Sequence, residues 1–120
     1  MELRWPYLGA AMKSEIKQAW LNALRSGDYQ QGEGYLRQCD QYCCLGVLCD
    51  LYSKAAGLEW EPLEGNADQV QSMLNHETTL PFKVQEWAGI PGKPNPLELA
   101  AYNDNGATFA ELANMIEEYL

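Results

Sequence analysis

The chain is expected to fold as an α+β domain, helix dominated, with a small antiparallel hairpin or sheet. Three observations predict this. Apolar residues recur at helical spacing in stretches near the start, middle and end of the chain; the segment "DYQQGEGYLRQCDQYCC" is rich in turn formers and tyrosines; and "LEWEPLEG" alternates apolar with acidic residues. At 120 residues, without internal repeat, low-complexity tract or linker, one globular domain over 13–120 accommodates all of them, preceded by an extension over 1–12. Trp5 and Tyr7 of the extension are expected to pack onto the domain, and Met12 offers an alternative start just ahead of the first helical pattern.

The first helix follows from Ile16, Ala19, Trp20, Ala23 and Leu24, with Ser14 as cap and Gly27 as a left-handed stop. Short strands around a tight hairpin come next, with Gly32 and Gly34 as the turn signal. A second helix is expected from Cys44 to Ala56, closed by Gly57, with Cys44, Val47, Leu48, Leu51 and Ala55 on one stripe. Gly46 in its first turn suggests close approach of a neighbouring backbone. "LEWEPLEG" reads as an edge strand, because Pro62 cannot donate to a ladder, and "NADQVQSMLNHE" fits either a short helix or a loop.

From Pro81, the residues Leu80, Val84, Trp87 and Ala88 share a helical face that Gly89 and Ile90 terminate. "PGKPNP" is a loop, and "LELAAYNDNG" a short helix stopped by Asn105 and Gly106. Thr108 and Glu111 then form a capping box that opens a last helix, with Phe109, Leu112, Ala113, Ile116 and Leu120 on its stripe.

Charge narrows the function. The net charge is −9, and it is one-sided: residues 1–57 carry six acids and six bases, whereas residues 58–120 carry eleven acids against Lys83 and Lys93. Such a surface repels phosphate backbones and favours basic partners or plain solvation. The pair "LELAAYNDNG" and "ATFAELANMI" has the rhythm of a helix-turn-helix. Its second helix offers Glu111, Asn114, Glu117 and Glu118 where a DNA reader needs bases, so no direct nucleic-acid contact is expected. No apolar run approaches the ~20 residues that span a bilayer and no export signal is evident, which argues for a cytoplasmic protein without membrane contact.

Chemistry, if any, would centre on Cys39, Cys43, Cys44 and Cys49. Their C-x3-CC-x4-C spacing does not suit a structural zinc site, because Cys44 and Cys49 would lie about 140° apart around a helix. No metal and no cofactor are expected. A nucleophile is better motivated, since a thiol at a helix N-terminus feels the dipole; Cys43 or Cys44 would hold that place, with His76 as base. The preferred reading, over both metal and nucleophile, makes these cysteines small buried hydrophobes that fill the interior. The pairs Glu59/Glu61 and Glu117/Glu118 read as solvated charges, and no phosphate loop, G-x-S-x-G or H-E-x-x-H occurs. Trp60, set among acids in the expected edge strand, is the tryptophan best placed to meet a partner.

Four blocks, "WLNALRSGDYQQG" (20–32), "YCCLGVLCDL" (42–51), "LPFKVQEWAGI" (80–90) and "YNDNGATFAELANMIE" (102–117), together resemble a group of small uncharacterised proteins of tailed bacteriophages and prophages. The resemblance implies a protein made in the cytoplasm of an infected bacterium, accessory to replication or to countering host defences. It carries over no catalytic residue.

The leading expectation is a non-enzymatic, acidic phage accessory protein that binds a host or phage protein and inhibits a nucleic-acid-handling or defence factor. Glu59, Trp60, Glu61, Glu111, Glu117 and Glu118 are its candidate binding residues. Two alternatives remain: a protein sequestering a nucleotide signal with aromatic residues and Arg25, Arg37 and Lys54, and a cysteine-dependent hydrolase or transferase using Cys43 or Cys44 with His76.

Overall fold

A computed structural model of the chain describes residues 12–63, 65, 68–90 and 98–120. The "PGKPNP" loop and the packing of Trp5 and Tyr7 lie outside the described residues. Helix α1 (Ser14–Ser26) stops at Gly27, whose φ of 83° is left-handed as expected. Its N-cap is Lys13 with no side-chain cap bond, so Ser14 is the first helical residue and not the cap. Met12, which the sequence reading assigns to the extension, is buried in the core.

The strands are short. They are β1 (Gln30–Gln31), β2 (Arg37–Gln38), β3 (Gln41–Tyr42), β4 (Glu61–Pro62) and β5 (Val70–Ser72), in the order β1-β3-β2-β5-β4. The β1–β3 pair is parallel and the other pairs are antiparallel. This is the α+β fold with a small sheet that the sequence predicts. The expected hairpin forms, but its turn is Cys39–Asp40 between the paired Gln38 and Gln41, not the glycine pair. Cys39 adopts φ 56°, a backbone that L-residues seldom take.

As expected, β4 is an edge strand and Pro62 sits in it. Of the ambiguous "NADQVQSMLNHE", the described residues 68–77 are neither helix nor plain loop: they contain β5 and a tight reversal. Met73 and His76 exchange both backbone bonds, at 2.8 and 2.9 Å, around Leu74 and Asn75, both with positive φ. That is a two-residue type I′ reversal, which normally asks for Asn-Gly. Leu74 hides this signal, because no propensity argument places a leucine in the left-handed region. Asn75→Gly is expected to raise stability by about 0.5 kcal/mol, measured as an upward shift of the urea midpoint.

Helix α2 (Cys44–Ala56) has the expected bounds, and Gly57 closes it with its N–H donating to the Ser53 carbonyl. It is the central element. Cys44 to Asp50 are all buried, in line with the apolar Leu45 lying off the stripe, whereas Ala55 at the far end of the stripe is exposed. The reason is encirclement: α1, β3, α3 (Phe82–Ala88) and α4 (Leu99–Asp104) all pack around α2, and its last turn leaves the core. The Trp20 indole N–H donates to the Cys44 carbonyl at 3.0 Å, joining α1 to the first turn. Gly46 admits the backbone of Leu36, as the sequence suggests; a Cβ there would stand 1.8 Å from the Leu36 oxygen.

Helix α3 ends at Gly89 with the expected left-handed cap. Helix α5 (Phe109–Tyr119) carries the complete Thr108/Glu111 capping box, and its predicted stripe is buried throughout against α1 and α4. Among the described residues no helix is long and apolar enough to cross a membrane.

Candidate functional site

The cysteine-bearing helix start is packed, not open. Cys43 is the N-cap of α2 and Cys44 its first residue; both are buried, as is Cys49 one turn on. The Cys44 thiol points at the Leu99 carbonyl, 3.7 Å away. Burial pushes all three thiols above their ordinary range; at Cys43 the backbone N–H groups of Gly46 and Leu45 pull the other way but do not offset it. Desolvation therefore outweighs the helix-end effect on which the nucleophile reading rests. His76 belongs to the β5 reversal and its Nδ1 bonds Thr79 Oγ1 at 2.9 Å, so no hydrogen bond among the described residues joins imidazole to thiol.

Cys39 is exposed and all four cysteines are free. Among the described residues no three His, Cys, Asp or Glu side chains converge on a position that could hold a metal ion. Native chain is expected to take up one equivalent of iodoacetamide quickly, at Cys39, and the other three only as it unfolds; intact-mass measurement in rising urea checks this.

A polar constellation that the sequence did not reveal surrounds Asp50. Its carboxylate, though on the buried part of α2, accepts from Tyr29 Oη at 2.5 Å, Trp60 Nε1 at 3.0 Å and Lys54 Nζ at 3.1 Å. Tyr29 and Tyr42 meet edge to face at 4.9 Å, and Trp60 follows at 6.1 Å. The Arg37 guanidinium lies 5.0 Å from the centre of the Tyr42 ring and 5.7 Å from that of Trp60. Two of the three bases named for a nucleotide pocket, Arg37 and Lys54, thus converge on aromatic rings. Arg25 does not: it bonds Asn114 and Glu117 across the α1–α5 contact. One signal was available, the helical i,i+4 pair Asp50 and Lys54, but a carboxylate off the apolar stripe is ordinarily solvated.

Burial raises the Asp50 carboxyl, yet the donors Tyr29, Trp60 and Lys54 together hold it below its usual range. A depressed folded-state pKa gives stability that is present above the unfolded value, about 3.9, and is lost as pH falls through the folded one. Asp50→Ala is therefore expected to cost about 2 kcal/mol near neutrality, a deficit that shrinks below about pH 4. Urea titrations of both chains from neutral to acid pH measure it.

A second polar knot holds the start of α2. Asn103, fully buried, accepts at Oδ1 from the Cys44 amide (3.2 Å) and Gln31 Nε2 (2.9 Å), and donates from Nδ2 to the Gly32 carbonyl (2.9 Å) and Asp104 Oδ1 (3.2 Å). Gln31 also donates to the Ala107 carbonyl and accepts from the Phe109 amide. Outside this knot an open groove of about 460 Å³ runs between β1 and the loop at 106–108, lined also by Glu33 and Gln41.

The acids named from sequence are exposed, but they occupy different places. Glu59 and Glu61 sit at β4, on the sheet edge beside β5. Glu111 is engaged by the cap, and Glu117 pairs with Arg25 at 2.9 Å; Glu118 is exposed on the same helix. Trp60 is half-buried with its N–H committed to Asp50, which makes it a wall of the cluster more than a free anchor.

No match was found among curated proteins or solved structures. A family profile does match, over residues 12–120, which takes in the buried Met12 and every element described above; the chain belongs to the family described as a domain of unknown function, DUF8296.

Proposed function

We propose that the protein is an acidic accessory protein of a tailed phage or prophage, which acts without chemistry of its own by covering a basic surface on a host or phage protein. Nucleic-acid-handling and defence factors present such surfaces, and an anionic protein seated there displaces their phosphate ligand. One observation carries the reading: every described Asp and Glu after residue 57 is exposed, while the same stretch offers Lys83 as its described base. Immobilised protein is expected to retain specific partners from bacterial lysate at low salt and release them as salt rises. Recovery of nothing above background at low salt overturns the proposal.

A second reading draws on the gathering of Arg37 and Lys54 about Tyr29, Tyr42 and Trp60, a combination able to stack a base and neutralise phosphate. It requires a nucleotide to co-purify with the protein. Mass spectrometry after gentle denaturation would detect it, and its absence under conditions that preserve a control nucleotide complex removes this reading.

A further inference from the structure

We infer that the groove beside β1 is where the partner is held, and that its occupant is an extended, lysine- or arginine-bearing protein segment added to the open edge of the sheet; this rests on the partner-binding reading above. The first ground is the backbone. In the parallel β1–β3 ladder the Gly32 N–H donates to the Tyr42 carbonyl at 2.8 Å, and Tyr42 is the register partner of Gln31. Because successive N–H groups alternate in direction, the Gln31 N–H and C=O point away from β3, toward the outer side of the first strand in the sheet order. Gln31 itself lines the groove. Among the described residues no backbone partner meets these two groups, at the loop 106–108 or elsewhere, although the Gln31 side chain is fully engaged. An open edge of this kind is completed by an added strand.

The second ground is charge. No lysine or arginine lines the groove, and Glu33 in its wall is exposed and has no partner among the described residues. Two further carboxylates flank it: Asp104 accepts from the Gly34 N–H at 3.0 Å, and Glu111 accepts from the Thr108 N–H at 2.8 Å. A cationic strand gains at this edge and an anionic one is repelled. The opposite edge of the sheet is a poorer template, because Pro62 in β4 cannot donate.

The test uses isotope-labelled full chain and three short peptides: one alternating valine and lysine, the same peptide N-methylated at alternate residues, and a valine–glutamate counterpart. The valine–lysine peptide is expected to shift the amides of Gln31, Gly32 and Gly106, and the other two to leave them unmoved. Glu33→Lys should weaken that binding about tenfold or more, and Glu86→Lys, a reversal at an exposed acid of α3, by far less. Equal losses from the two reversals, or equal binding of the N-methylated peptide, overturn the inference, since either means diffuse charge attraction without strand addition. Shifts confined to other surfaces, or no binding by a chain that still retains lysate partners, overturn the groove and leave the partner-binding proposal standing. Failure of lysate capture overturns that proposal separately.

Discussion

Gly46→Ala is expected to destabilise the fold by about 3 kcal/mol or more, although an ordinary glycine-to-alanine change inside a helix gains up to about 1 kcal/mol. The added Cβ would stand 1.8 Å from the Leu36 oxygen and 2.7 Å from its carbonyl carbon, so backbone must move. Leu36 is poorly able to yield. Its carbonyl accepts from the Cys43 N–H, its N–H donates to the Glu77 carbonyl, and its side chain is fully buried. Displacing it disturbs the start of α2 and the link between the sheet's two halves together. Urea unfolding monitored by tryptophan fluorescence measures the loss. Gly27→Ala is the useful comparison, because that site combines positive φ with open space and should cost only about 1 kcal/mol. A Gly46→Ala chain as stable as the parent would show that the Leu36 backbone and the first turn of α2 do not meet as described.

Asn103→Ala comes second, with an expected cost of about 3 kcal/mol. The side chain fills its hydrogen-bonding capacity across three elements, and its loss strands the Cys44 N–H at a helix start that has no side-chain cap. Gln31→Ala should cost less alone, since Gln31 is partly exposed. The double variant should fall short of the sum by about 1 kcal/mol, because the residues share one network. A double-mutant cycle in urea reads this coupling, and strict additivity would mean that the two amides act independently. Both variants should also loosen the loop at 106–108, whose Ala107 carbonyl Gln31 holds.

Helices were legible wherever a local signal was complete. The Cys44–Ala56 bounds followed from period and Gly57, and the last helix from Thr108, Glu111 and a five-residue stripe, because caps and faces are settled by residues within a few positions of one another. Ser14 shows the limit of that locality: serine suits both a cap and a first-turn position, and here the chain enters the helix one position earlier. The hairpin is legible in the sequence but its turn is not, since glycines advertise left-handed backbone and Cys39 does not. At Met73–His76 the reversal is hidden for the same reason.

The candidate sites were less legible still. Exposed acids can be counted from sequence, yet only the fold separates those at β4 from those on α5 and gives Glu111 and Glu117 internal tasks. By itself the sequence determined an acidic α+β chain with capped helices and a close approach at Gly46, because composition, period and capping are properties of neighbouring residues. Tertiary structure alone decided which elements enclose α2, that desolvation at its start outweighs the helix end, that Asp50 is ringed by donors from distant segments, and that β1 stands first in the sheet order. Desolvation and edge exposure depend on what packs against a group, and that is set by residues far along the chain.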